Sequence, residues 1–225
     1  KDGEINRGLS IKTRISIVAL SGLIIAFWFY FKIDITTIHV PFIGELFLSP
    51  IIFFIFFIFV MVGTYSSGII DGIDGLAGGI FAIIFGGYGI VAFSMEMFNL
   101  ASLCFSITGG LVAFLWFNIP PARFFLSDTG SMGLTTTLAV VSFFTNTILF
   151  LPIIAFPLVV TVLSDIIQIV SKKFRNGKKV FLVAPLHNHF QVLGWSQPKI
   201  VMRYWLITLI FTLIGVALIL IDKTF

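Results

Sequence analysis

Apolar runs long enough to cross a bilayer follow one another along this chain, with few polar residues between them. A backbone exposed to lipid must satisfy its own hydrogen bonds, so runs of this kind fold as helices. The chain is therefore read as an all-α, polytopic integral membrane protein forming a single membrane domain over 1–225. At about 20 residues per crossing, seven spans are placed at 15–31, 50–65, 76–95, 100–117, 132–144, 148–170 and 200–221. Only 11% of residues are charged and the mean hydropathy is +1.11, whereas soluble domains are about 25% charged. The fifth run is short and holds Thr135, Thr136 and Thr137, whose hydroxyls can bond back to the helix. Between the first two runs, 33–49 alternates weakly around Pro41 and Gly44 and reads as a short hairpin outside the membrane. The lone Cys104 excludes an internal disulfide and lies in an apolar run, as a packing residue does.

Seven spans sort the 14 Lys and Arg residues very unevenly. Lys1, Arg7, Lys12, Arg14, Arg123, Lys172, Lys173, Arg175, Lys178, Lys179, Lys199 and Arg203 fall on one side. Only Lys32 and Lys223 fall on the other. Positive loops stay inside, so the N-terminus is expected in the cytoplasm, the C-terminus outside and the 171–199 loop in the cytoplasm. The outer side carries Asp34, His39, Glu45 and Glu96, which read as scattered and without chemistry. The basic run from Lys172 to Lys179 serves topology and attraction to membrane lipids. It lacks interleaved aromatics, so no nucleic-acid partner is expected.

Three polar segments fall on the cytoplasmic side. The first is Asp71-Gly72-Ile73-Asp74-Gly75, with acids three apart and glycines that permit a tight turn against a ligand. The second is Ser127-Asp128-Thr129-Gly130-Ser131, which turns into the fifth span after Pro120-Pro121 ends the fourth. For Asp74 and Asp128, helix capping is the plainer alternative. The sharper reading is Mg²⁺, a hard cation that takes one or two carboxylates and completes its shell with substrate phosphates. The third is His187-Asn188-His189; Pro185 favours an extended loop, in which the two imidazoles share a side. Carboxylates near a bilayer are costly unless compensated. Together the segments predict a membrane enzyme with one pocket at the inner face, where the two aspartate bends and the histidine bend meet.

Three stretches carry a family resemblance: Asp71 to Ala77, Phe125 to Ser131, and Ala184 to Phe190 with its continuation Gly194-Trp195-Ser196-Gln197-Pro198-Lys199. They resemble the phospho-N-acetylmuramoyl-pentapeptide transferases, a branch of the polyprenyl-phosphate N-acetylhexosamine-1-phosphate transferases. The resemblance implies a Mg²⁺-dependent transfer in the bacterial inner membrane, with the site on the cytoplasmic face. Undecaprenyl phosphate attacks UDP-N-acetylmuramoyl-pentapeptide, giving lipid I and UMP in peptidoglycan synthesis. It further implies Asp128 and Asp71 as metal-site and catalytic acids, with His187 and His189 as catalytic histidines. Gly72, Ile73, Asp74, Asn118, Phe125, Gln168 and Asn188 would line the substrate site, and a homodimer is expected.

The sequence departs from the family pattern at Asn188, where a third histidine is usual, and at Gly68, where an Asn is common. Relatives have about ten spans and an Asp-Asp pair upstream of a stretch like Asn6-Arg7-Gly8-Leu9-Ser10. The chain is therefore expected to be the C-terminal part of such a fold, and alone to lack activity. Alternatives are an N-acetylglucosamine-type transferase, a non-catalytic relative binding lipid or nucleotide, and a transporter. The transporter reading is disfavoured because the outer side offers no polar cluster.

Overall fold

A computed structural model describes residues 11–66 and 72–223. Among the described residues the regular structure is helical apart from one hairpin. In chain order the elements are α1 (Ile11–Phe27), continuing as a π-helical turn (Trp28–Lys32), and strands β1 (Thr37–Val40) and β2 (Gly44–Phe47). Then come α2 (Ile51–Ser66), α3 (Leu76–Ser94), α4 (Phe98–Asn118) and α5 (Ser127–Phe144). A 3₁₀ turn (Ile148–Phe150) leads into α6 (Leu151–Ile154), followed by α7 (Phe156–Phe174), α8 (Leu186–Val192) and α9 (Gln197–Asp222). Each predicted span coincides with helical structure. By length and apolarity α3, α4 and α9 each suffice to cross a membrane, and the broken pair α6–α7 with its preceding turn makes a fourth candidate. This is a polytopic all-α membrane protein.

The core gathers around α3. Its Leu76, Ile80, Phe81, Ile84, Phe85 and Tyr88 are fully buried, with α4, α9 and α5 packed around them. Glycines allow the close approach: a β-carbon at Gly87 would come within 2.3 Å of the Thr212 side chain on α9. A second centre is aromatic. Phe29 of the π turn lies tilted against Phe56 of α2 with ring centroids 5.1 Å apart, and Phe56 meets Phe143 of α5 at 3.8 Å. Many of the other apolar side chains face outward, including Phe54, Phe93, Phe105 and Leu209, as expected where lipid replaces water. Cys104 is buried and unpaired.

The expected hairpin forms, with β1 and β2 antiparallel and His39 opposite Glu45. In α5 the threonines act as anticipated: Thr135 donates to the Ser131 carbonyl at 2.9 Å and Thr137 to Gly133 at 2.9 Å.

Three expectations are corrected. Span 148–170 is not one helix, because the chain bends by 87° between Ile154 and Phe156. Pro157 sits at the start of α7 and lacks the N–H that would continue the ladder. At the same bend Thr212 Oγ1 donates to the Ile154 carbonyl at 3.1 Å. Next, α5 begins at Ser127, so Asp128 lies inside its first turn rather than in a bend before the helix. Finally, the outer residues are not all scattered. His39 contacts both Glu45 and Asp222, Asn146 donates to Glu45 at 3.0 Å, and Phe42 N–H donates to Asp222 at 2.6 Å. His39, Glu45, Asn146 and Asp222 line a cavity of about 240 Å³. Scattered outer charge therefore gives no reason to dismiss a transport path.

Candidate active site

The Asp-bearing turn at the head of α3 is held from several sides. Gly75 caps α3 with φ +79°, a left-handed conformation that favours glycine. Its N–H donates to Asn118 Oδ1 at 2.9 Å, and its carbonyl accepts the Trp205 indole N–H at 3.1 Å. Asn118 is buried at the end of α4; its Nδ2 donates to the Phe124 carbonyl at 2.6 Å. One side-chain amide thus ties the 72–75 turn to the loop that leads into α5 and Asp128. Asp74 reinforces the tie, accepting the Ala122 N–H at 3.1 Å. It does not cap α3, so its carboxylate braces the same loop.

Beyond that loop Phe125 projects outward, 71% exposed, with its ring face available for stacking. Asp128 is half-buried in the first turn of α5, where the positive end of the helix dipole favours an anion. Ile73 is buried beneath the turn. Asp71 and Gly68 lie outside the described residues, as does Asn6–Ser10.

The histidines do not lie in an extended loop. Pro185 is extended (ψ 170°), but it serves as the cap from which α8 starts, because proline fits a helix start. On a helix, positions two apart diverge. His187 turns inward and is 1% exposed, and neither ring nitrogen has a hydrogen-bond partner among the described residues. It packs against the acid turn so closely that a β-carbon on Gly72 would lie 2.6 Å from its Nε2. Burial lowers its pKa to about 4 from 6.5, so the imidazole is neutral at physiological pH. His189 is half-buried and faces the other way, with Nδ1 accepting the Leu182 N–H at 3.2 Å; its Nε2 therefore carries the proton in the neutral ring. Asn188 is half-buried between them, its N–H donating to the Pro185 carbonyl at 3.0 Å.

Gln168 is buried, and its amide is committed to the protein. Its Oε1 accepts the Val180 and Phe181 N–H groups at 3.0 Å each, and its Nε2 donates to the Phe181 carbonyl at 2.9 Å. In this structure Gln168 fastens the strap that leads to α8. Ser164, unremarked in the sequence, continues the fastening by accepting the Leu186 N–H at 3.0 Å. Thr161, Ser164, Gln168 and Ser171 are all buried, and their spacing of three and four marks a polar inner stripe on α7. That spacing was readable in the sequence. Trp195 closes the far side: Phe190 stacks on it at 4.8 Å, and Arg203 and Lys199 sit over it at 4.3 and 4.7 Å.

The segments carrying Gly72 to Gly75, Asn118 to Phe125 and His187 therefore converge, and Asp128 follows three residues after Phe125. Among the described residues no group of three or more His, Cys, Asp or Glu is arranged to hold a metal. A Mg²⁺ that takes one or two carboxylates and finishes on substrate phosphates needs no such group. The hard-oxygen donor at Asp128 fits that demand.

Glycosyl transferase family 4 matches residues 5–146. A phospho-N-acetylmuramoyl-pentapeptide-transferase of Chloroflexus aurantiacus is 37% identical, over 82% of this chain and 52% of the relative. The same-named proteins of a Geobacillus species and Levilactobacillus brevis are 33% and 39% identical, over 93% and 88% of this chain and 65% and 62% of their own lengths. The chain spans about half to two thirds of the length of these relatives. On this evidence the chain belongs to glycosyl transferase family 4.

Proposed function

We propose that this chain forms the cytoplasmic-face site of a phospho-N-acetylmuramoyl-pentapeptide transferase of the bacterial inner membrane. The observation that carries the reading is the convergence described above. A buried neutral imidazole, its two nitrogens without a partner among the described residues, lies against the Gly72 backbone, in a turn that Asn118 ties to the segment preceding Asp128. Buried polar atoms in native proteins are nearly always satisfied, so a ligand group is the natural partner for His187.

In the proposed reaction an oxygen of undecaprenyl phosphate attacks the phosphorus that bears the sugar. The bond from that phosphorus to the bridging oxygen breaks, UMP leaves with that oxygen, and lipid I forms. Phosphoryl transfer asks mainly for positioning and charge neutralisation. Phe125 offers a stacking face to the uracil. His187, neutral, hydrogen-bonds a phosphate oxygen without placing a cation in the buried turn. Asp128 is the residue that would hold Mg²⁺, with Asp71 the second acid expected. The ion, when bound, supplies charge neutralisation at the diphosphate. A lipid acceptor arriving through the membrane and a nucleotide arriving from the cytosol require a site at the boundary, where these loops lie in the charge-based orientation.

The test is transfer of labelled sugar phosphate to undecaprenyl phosphate by the complete natural protein, with UDP-N-acetylmuramoyl-pentapeptide and UDP-N-acetylglucosamine compared as donors. The expected result is turnover with the muramoyl donor, lost in Asp128→Asn without loss of folding. Turnover only with the N-acetylglucosamine donor would reassign the branch. Tight nucleotide binding without transfer would favour a non-catalytic relative.

A further inference from the structure

Gly75 is gripped at both ends of its peptide. Asn118, at its N–H, was expected from the family resemblance as a substrate-site residue, and its bond to Gly75 was not foreseen. The group at its carbonyl was not singled out at all. Trp205 lies two turns into α9, 130 residues further along the chain, and its indole N–H donates to the Gly75 carbonyl at 3.1 Å. That carbonyl also accepts the Gly79 N–H at 3.3 Å, so it serves the first turn of α3 and the indole together. Space for the ring exists only because residue 79 is glycine: a β-carbon there would fall 2.0 Å from Nε1 and 2.1 Å from Cε2. The ring is rigid and cannot bend away as a methionine would. Val201, one turn earlier on α9, also approaches Gly75: a β-carbon on that glycine would sit 3.7 Å from Cγ1. The same end of α9 carries Arg203 and Lys199 on the Trp195 ring, which stacks on Phe190 of α8. The start of α9 thus touches both the acid turn and the histidine helix.

We infer that Trp205 is a positioning residue: its indole N–H fixes the left-handed Gly75 turn and so sets where Gly72 and Asp74 stand relative to His187. The inference rests on the functional reading above for its catalytic consequence, though not for its structural one. A left-handed turn with a half-satisfied carbonyl has neighbouring wells to move into. A bond from a ring wedged over Gly79 removes that freedom.

Two variants test it from opposite sides in the complete natural protein. Trp205→Phe keeps an aromatic ring and deletes the N–H. Gly79→Ala keeps Trp205 and drives the ring off the carbonyl. In both, amide hydrogen exchange over 75–79 is expected to rise about tenfold, the weight of one hydrogen bond, while exchange within α4 holds. Donor kcat/KM is expected to fall about tenfold to a hundredfold, as for displaced catalytic groups, with KM for undecaprenyl phosphate unchanged. Unchanged exchange over 75–79 in either folded variant overturns the inference. So does a lower melting temperature with donor kcat/KM intact, which is the mark of a packing residue. If the unaltered protein transfers no sugar phosphate, the functional reading fails, and the exchange measurement still decides the role of Trp205.

Discussion

The imidazole of His187 rests on the peptide of Gly72, with no room between them for a side chain at residue 72: a β-carbon would stand 2.6 Å from Nε2. A glycine in the acid turn and a histidine 115 residues later are therefore fitted to each other. Gly72→Ala should push the ring out or the turn away. The expected outcome is a loss of donor turnover of about tenfold or more, with a small change in melting temperature. Wild-type turnover in Gly72→Ala would remove His187 from the site.

His187 also predicts a pH dependence. Its pKa is lowered by burial to about 4, against 6.5 when unfolded. As pH falls below 6.5 the unfolded chain takes up this proton first, so the folded state loses ground. The contribution is whole above about pH 6.5 and is lost between there and pH 4. It amounts to about 3 kcal/mol, from 1.36 kcal/mol per pKa unit. Thermal unfolding in detergent across that window should show the slope, and His187→Gln should flatten it. An equal slope in the variant would assign the pH dependence to other groups.

Helices and the chemistry-bearing residue types were legible because each announces itself locally. Apolar runs of membrane length marked the helices, and the acids beside them marked the polar turns between helices. What was not legible depends on distance along the chain. Nothing near Asn118 says that its amide will bridge Gly75 and Phe124, and nothing near Trp205 points to Gly75. The histidine segment was misread because Pro185 fits both an extended loop and a helix start; packing against Gly72 and the Ser164–Leu186 bond selects the helix. The outer charges were misread because His39, Glu45 and Asp222 meet only when the hairpin folds onto the end of α9.

Asn118 supplies a third prediction. Asn118→Leu keeps the volume and leaves the Gly75 N–H and the Phe124 carbonyl without partners in a buried setting. Each orphan costs about 1–3 kcal/mol, so thermal stability should fall. Exchange should quicken at the Gly75 amide itself, and donor affinity should drop as the two loops part. Asn118→Asp keeps the acceptor for Gly75 and loses the donor to Phe124, so its defect should be smaller at Gly75 and similar at Phe124. Equal protection of the Gly75 amide in Asn118→Leu and wild type would show that the bridge does not hold the turn.

The outer network offers the contrasting case. Asp222 is 8% exposed at the last turn of α9 and accepts from His39 and from the Phe42 N–H. These bonds latch the β1–β2 hairpin to the helix, and Asn146 joins from the α5–α6 connection, with Oδ1 accepting the His39 N–H at 3.0 Å. Asp222→Leu leaves both donors without their acceptor and should cost about 2–3 kcal/mol, the weight of hydrogen bonds to a charged group. The proposed site lies at the other end of α9. A helix of 26 residues runs about 39 Å at 1.5 Å per residue, well beyond the reach of a local change in charge. Donor and acceptor KM should therefore match wild type below the lowered melting temperature, while proteolysis within 37–47 quickens. If turnover fell along with stability, the hairpin latch and the inner site would be coupled through α9, and the outer cluster would belong to the reaction cycle rather than to the scaffold.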